Sequence, residues 1–194
     1  MRYETKRLIV FCLYPFVWPF GLPSRLSCKL SGTGALFDFS AKFLSLLPGK
    51  TGQYVRTAFY KMTLTECHYD LMVGFRSFFT HHSARVGRQV GMGSYTSVGA
   101  VHIGDNVMIS SRVSVVSEKS GHHSGPARAK DCEVITIGTG CWIGEGAIVM
   151  ASLGQHCIVS AGSVVIQPAP DRAVAIGNPA RFLRNTEGER HGSL

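Results

Sequence analysis

The chain has 194 residues, six cysteines and a formal net charge of +8, which gives one domain or a domain with an appendage, long enough to bury a core. The cysteines show no paired close spacing, so neither a zinc ribbon nor a disulfide framework is indicated, and reduced, intracellular thiols are expected. The charge would suit nucleic acid, but the aromatic residues cluster near the N-terminus, away from any basic RNA-binding motif. Nucleic acid is therefore not the expected partner, and an anionic membrane surface or anionic cofactor fits better.

In residues 1–30, Arg2, Lys6 and Arg7 precede an apolar run from Leu8 to Leu22 that contains Pro15 and Pro19 and is followed by Pro23. The prolines are expected to break it, and as a helix the run would reach only about 22 Å against the roughly 30 Å of a bilayer core, so it is not expected to span. No small-residue cleavage site follows, which argues against a signal peptide. Arg25 and Lys29 add cations at the far side, so both ends stay cytoplasmic and the segment reads as a re-entrant or interfacial anchor. A plain buried segment packed on the rest of the protein is the competing reading.

Residues 31–70 read as a helical cap. Leu36, Phe39, Phe43 and Leu47 fall at helical spacing before Pro48-Gly49, and a second helix over 53–64 carries Tyr54, Ala58 and Met62 on one side with Arg56 and Lys61 facing solvent. Such helices close the open end of a repeat structure, which otherwise exposes strand edges and core.

From residue 71 to 184 a six-residue rhythm governs the chain. It runs Val73-Gly74, Phe79, Val86-Gly87, Met92-Gly93, Val98-Gly99, Ile103-Gly104, Ile109-Ser110 and Val115, then Ile137-Gly138, Ile143-Gly144, Val149, Leu153-Gly154, Val159-Ser160 and Val165. Four residues after many of these stands a second small or apolar residue, including Val90, Thr96, Val107, Val113, Cys141, Ala147, Cys157 and Ser163. Neither the helical nor the strand period gives six, whereas a parallel β-helix does. The aliphatic residue points inward, and the neighbouring Gly or small residue is expected to take a tight corner. His81 and His82 are read as strand neighbours facing opposite sides, with a weaker claim on an acceptor site.

The rhythm stops between Val115 and Ile137. The polar loop 116–136 holds His122 and His123, and loops on rigid scaffolds are where chemistry tends to sit. The tail 185–194 is short and polar.

The stretches ITIGTGCWIGEGAIVM, SAGSVV and AIGNPARFLR resemble, in succession, motifs of the hexapeptide-repeat acyltransferases, and with the earlier hexads they cover roughly residues 73 to 184. Within that family the chain is most similar to exopolysaccharide and colanic-acid-type O-acetyltransferases, through LSLLPGKTGQYVRTAFYKMTL, VGFRSFFTHHSARVG and the apolar N-terminus. The resemblance implies a mainly β fold, a left-handed parallel β-helix of hexapeptide repeats with an N-terminal helical, apolar segment. It also implies a homotrimer, acetyl-CoA as acyl donor, no metal, and a carbohydrate or lipid-linked sugar acceptor at the inner face of the cell membrane.

By that resemblance His122 matches the family's general base, with His123 as the alternate. The chemistry is sound, since an imidazole titrating near neutrality can take the proton of an attacking hydroxyl. Ala161, Gly162 and Ser163 match the small residues against which pantetheine lies, Trp142 the tryptophan beside the cofactor arm, and Arg181 and Arg184 the basic residues that meet its phosphates. Ile166-Gln167 departs from the Thr-Lys or Ser-Lys of many relatives, and Glu118 and Glu145 are candidates for orienting the base. Serine acetyltransferases share the architecture, but no histidine stands at Thr96-Ser97-Val98, where their catalytic one falls. γ-Type carbonic anhydrases, the metalloenzyme alternative, pair histidines five residues apart, a spacing absent among His81, His82, His102, His122 and His123. A non-catalytic membrane-bound β-helix scaffold is the remaining alternative.

Overall fold

A computed structural model describes residues 3–30, 34–117 and 134–184. His122, His123 and Glu118 lie outside these residues, as does the tail 185–194.

The helices come first: α1 (Tyr3–Leu30), α2 (Ala35–Ser45) and α3 (Gly49–Thr63). Contrary to expectation, Pro15, Pro19 and Pro23 do not break α1, which runs as one helix of 28 residues. The four-residue spacing puts all three on one exposed stripe, so the missing N–H groups and the ring clashes fall together on the outer side. The other side holds the helix in place. Val10, Val17, Gly21 and Ser24 are buried, and Ser24 Oγ donates to the carbonyl of Phe20 at 2.6 Å and lies 3.2 Å from Ser40 Oγ. A Cβ on Gly21 would stand 3.1 Å from the Met62 Cε of α3, so Gly here allows close approach of the two helices. Over Lys6–Cys28 the helix is long and apolar enough to cross a membrane by length and composition; the expectation that it is too short counted only the apolar run from Leu8 to Leu22.

On α2 the residues that cover the interior are Phe37, Ala41 and Leu44, while Leu36, Phe39 and Phe43 face outward. The helix has two apolar faces, and the periodicity alone marked the exposed one. α3 is buried on nearly every side. Arg56, expected in solvent, is 2% exposed. Lys61 reaches the carbonyl of Cys67 at 2.6 Å, with its ammonium 5.0 Å from the Tyr69 ring centre.

The remaining chain winds into stacked coils with three faces. Face I holds β1 (Met72–Val73), β4 (Gly91–Met92), β7 (Met108–Ile109), β10 (Trp142–Ile143), β12 (Ile158–Val159) and β14 (Ala173–Ile176), all parallel, with β15 (Arg181–Arg184) antiparallel at its edge. Face II holds β2 (Phe78–Phe79), β5 (Ser97–Val98), β8 (Ser114–Val115), β11 (Ile148–Val149) and β13 (Val164–Val165). Face III holds β3 (Arg85–Val86), β6 (Val101–Ile103) and β9 (Ile135–Ile137), extended by the bridges Ile137 to Leu153 and Leu153 to Ala169. Register follows the repeat: on face I, Met72 faces Gly91, Gly91 faces Met108, Met108 faces Trp142 and Trp142 faces Ile158.

The inward positions read from the hexads are buried, among them Val73, Phe79, Val98, Ile109, Ile143 and Val159 at the aliphatic step and Val90, Thr96, Cys141, Cys157 and Ser163 four residues on. The glycines need a different explanation from the expected one. A Cβ on Gly144 would stand 2.5 Å from the amide of Ala161, and one on Gly93 2.5 Å from that of Ser111. These residues are small because the next coil passes over them. The left-handed corners come later in each hexad and are mostly not glycine: Arg76, Gln89, Tyr95, Asn106, Arg112, His156 and Arg172 all have φ near +55°.

The first coil would leave one row of backbone groups unpaired, and α3 supplies their partners. Thr57 Oγ1 donates to the carbonyl of Leu71 at 2.9 Å, Arg56 Nε donates to that of Val73 at 3.0 Å, and the Phe79 N–H donates to Tyr60 Oη at 3.2 Å. On face III the chain before the coil does the same, with the Val86 N–H on the Glu66 carbonyl and the Thr65 N–H on that of His82.

Candidate active site

The excursion leaves the edge between faces II and III after β8 and rejoins at β9. Both ends of its stem are tied to one buried residue of the coil below: the Ala100 N–H donates to Ser117 Oγ at 2.8 Å, and the Ile135 N–H donates to the Ala100 carbonyl at 3.1 Å. A rigid coil therefore fixes where the loop that carries His122 and His123 begins and ends. His81 and His82 lie on the same edge, two coils down. They sit in a turn rather than on a strand, and their rings are side by side, 6.5 Å apart and inclined by 19°, not on opposite faces as expected. Burial, with the neighbouring His81, lowers the His82 pKa, and its ring meets Phe37 of α2 edge-on at 6.2 Å.

A second group forms on the edge between faces I and II. Its corners stack as Arg76, Tyr95, Arg112, Gly146 and Gly162, all left-handed, joined by amide-to-carbonyl bonds such as Gly162 to Glu145 at 2.8 Å and Gly146 to Ser111 at 3.0 Å. At Gly146 and Gly162 a Cβ would meet nothing within 4 Å. The upper corner is thus bare backbone beside open space, which suits the approach of a thin chain. Ala161 and Gly162 are exposed there.

Ser163 is 1% exposed, and its Oγ accepts from the Gly177 N–H at 3.1 Å. Its side chain is committed to the fold, so only its backbone neighbourhood bears on the corner. Arg181 pairs with Ile176, next to that Gly177, and is exposed at this end of face I. Arg184 pairs with Ala173 at the opposite end of β14. Three residue steps of strand, about 10 Å, separate the two backbone positions, which pair toward opposite ends of β14.

Trp142 lies on the outer side of face I, 47% exposed, beside Met108 of the coil below. The structure thus places Ala161, Gly162 and Arg181 at the edge between faces I and II, whereas Trp142, in register with Ile158 and through it Val174, stands further back on face I, and the loop stem stands on another edge across face II. Glu145 is engaged by Arg112 at 2.5 Å. Among the described residues no group of three His, Cys, Asp or Glu could hold a metal ion.

A maltose O-acetyltransferase from Clostridium difficile 630 superposes with a TM-score of 0.66 at 21% identity, covering 84% of this chain and 87% of that one. A hexapeptide-repeat-containing acetyltransferase from Vibrio cholerae O1 biovar eltor, solved with acetyl-coenzyme A, superposes with a TM-score of 0.61 at 21% identity, covering 74% and 82%. The fold is that of the hexapeptide-repeat acetyltransferases. In sequence, the galactoside O-acetyltransferase of Escherichia coli (strain K12) is 34% identical over 90 residues, 43% of each chain. The chain spans less than half the length of the curated relatives it matches first, and no family model matches it.

One feature of this hexapeptide-repeat chain was not legible in its sequence: a groove of about 740 Å³ between α2 and face II, where Lys42, Arg76 and Tyr95 meet. Its residues come from stretches distant in sequence, and no spacing in the chain marks them as neighbours. The left-handed corner that presents Arg76 and Tyr95 carries none of the usual Gly or Asn signal.

Proposed function

We propose that this protein is an acetyl-CoA-dependent O-acetyltransferase that acylates a sugar hydroxyl in bacterial surface or exopolysaccharide biosynthesis, on a left-handed coil. The observation that carries the reading is the pairing of an open glycine corner at Gly162 with a loop held on Ala100 by both ends. The sugar class is supported by the galactoside and maltose enzymes that the chain is similar to in sequence and fold.

In the proposed reaction the His122 imidazole takes the acceptor's hydroxyl proton as the oxygen attacks the thioester carbonyl. The tetrahedral intermediate then collapses, the C–S bond breaks, and the imidazolium returns the proton to the departing thiolate. His123 is the alternate base. The donor's pantetheine arm lies on Ala161 and Gly162 beside Trp142, and Arg181 meets a phosphate.

The donor corner and the loop stem stand on different edges of one coil stack, and a second copy of the chain can bring the two together. That separation, with the exposed apolar Met108 and Trp142 on face I, supports a homotrimer with shared sites. The outward apolar face of α1 supports a seat on the inner face of the cell membrane. Three outward prolines free the carbonyls of Phe11, Pro15 and Pro19, which in hydrocarbon would find no donor. An interfacial placement, where water reaches them, is therefore favoured over a spanning one.

The test is thiol release from acetyl-CoA with a panel of free and lipid-linked sugars, coupled to mass detection of the acetyl ester. His122→Ala is expected to lower turnover by roughly 10²–10⁴-fold with acetyl-CoA binding retained, and His123→Ala to change it little. Unchanged turnover in both variants defeats the proposed base. No acetyl ester on any acceptor, with acetyl-CoA still bound, favours a non-catalytic scaffold.

A further inference from the structure

Exposed apolar residues cover much of α1 and one face of α2, and those of α2 also line a pocket. On α1, Leu8, Phe11, Phe16, Trp18, Leu22 and Leu26 face outward, with Phe11 67% exposed. On α2, Phe39 and Phe43 do the same, at 63% and 50%, and their rings stack 6.2 Å apart. Phe20 of α1 stacks on Phe43 at 5.6 Å, so the two helices share one aromatic surface. Phe39 and Phe43 also form one wall of the groove of about 740 Å³ between α2 and face II, a volume in the range of small-molecule sites. Phe78 and Tyr95 form the facing wall.

Two cations stand among the aromatic walls of this groove, with Asp38, Ser45, Thr96 and Ser97 as its other polar lining residues. The Lys42 ammonium lies 5.7 Å from the centre of the Phe78 ring and 2.7 Å from Asp38 Oδ2. Arg76 is exposed on the left-handed corner, its guanidinium 5.9 Å from the Phe75 ring centre. Its backbone N–H donates to the Ser45 carbonyl at 2.9 Å, which pins this corner to the end of α2. With Asp38 counted, the groove keeps a surplus positive charge. An aromatic trough beside the exposed apolar face of α2, with a net cation inside it, complements an amphiphile with an anionic head. A neutral sugar could stack on the aromatic walls but would leave the surplus positive charge without an anion, and a free phosphate would use only the two cations.

We infer that this groove seats a single membrane lipid with a net anionic phosphate head, the headgroup between Lys42 and Arg76 and the chain along Phe39, Phe43, Phe78 and Tyr95. The inference rests on the membrane reading above and deepens it: the acceptor is presented on, or beside, a phosphate-linked lipid held by the protein itself.

The experiment uses the full chain in two measurements. Calorimetric titration with dihexanoyl phosphatidic acid below its micelle concentration is compared with dihexanoyl phosphatidylcholine and with inorganic phosphate. The wild type is expected to bind the phosphatidic acid saturably at one site per chain, at least tenfold tighter than either comparator. The double variant Lys42→Gln, Arg76→Asn is expected to lose at least tenfold; Asn tolerates the left-handed corner, and circular dichroism checks the fold. Phe39→Glu, at the groove wall, is a second variant expected to weaken binding independently. Equal affinity in wild type and double variant, or inorganic phosphate binding as tightly as the lipid, overturns the inference. Flotation with phosphatidylglycerol vesicles separately tests the membrane reading. Failure to float with one-site lipid binding intact defeats that reading alone, whereas flotation without saturable lipid binding defeats the groove.

Discussion

Arg56 shows how one residue can join two layers. Its guanidinium is buried among carbonyls: it donates to that of Val73 on the first coil and to that of Leu47, at 2.7 Å, past the end of α2, with longer contacts to Leu44 and Ser45. A cation at a helix C-terminus is favoured by the dipole and satisfies carbonyls that lack an intrahelical partner. Burial lowers its pKa, yet a guanidinium stays charged at neutral pH. Arg56→Met keeps much of the volume but strands these oxygens. It is expected to cost roughly 2–4 kcal/mol, read as a lower urea midpoint, and Arg56→Lys is expected to recover only part. A midpoint equal to the wild type would show that water replaces the guanidinium.

The glycines make a second case at this scale. Gly144→Ala puts a methyl 2.5 Å from the backbone of Ala161, which cannot rotate away, and an overpacking cost of about 1–3 kcal/mol is expected. Gly162→Ala meets open space and bears only its φ of +68°, a cost of about 1–2 kcal/mol. If pantetheine crosses that corner, Gly162→Ala will also raise the KM for acetyl-CoA, and Gly144→Ala will not do so beyond its effect on folding.

At the scale of elements, the helical layer closes the coil stack, and the contact of α2 with the edge between faces II and III makes that closure sensitive to acid. His82, against Phe37, has its pKa lowered first by burial and then by His81. A histidine whose folded pKa lies below its unfolded one binds fewer protons in the native state. Stability from this group is therefore fully present above the unfolded value, near 6.5, and is lost as pH falls through the folded value. Thermal melts are expected to show a fall in Tm below about pH 6.5 that His82→Gln reduces. The same fall in both proteins would place the acid-sensitive group elsewhere.

For the whole molecule, each coil touches only its neighbours, so the excursion can interrupt the stack without disturbing its register. Ile137 of the returning coil still pairs with Ile103, and Val149 of the same turn pairs with Val115, across the inserted residues. The two open ends are closed differently. α3 caps the first coil with side chains, and β15 turns back on β14 to cover the last.

The sequence alone determined the β-helix, its coil register and the inward positions from Val73 to Val165. In a stack of short strands the residue pattern is the structure: burial depends on position within the hexad and needs no distant partner to set it. It also located the excursion, since a break in rhythm is a local signal, and the match to a family general base rests on those residues. What only the tertiary structure decided depends on chain segments far apart. The inward face of α2, the burial of Arg56, the unbroken α1 and the groove at Arg76 each follow from one element meeting another. An amphipathic helix with two apolar faces has no internal reason to choose between them, and a proline stripe is tolerated only because the opposite face is held. The gathering of Gly162 and Arg181 on one edge and of Arg184 on another has the same origin, because the direction in which β15 runs back along β14 is set by pairing.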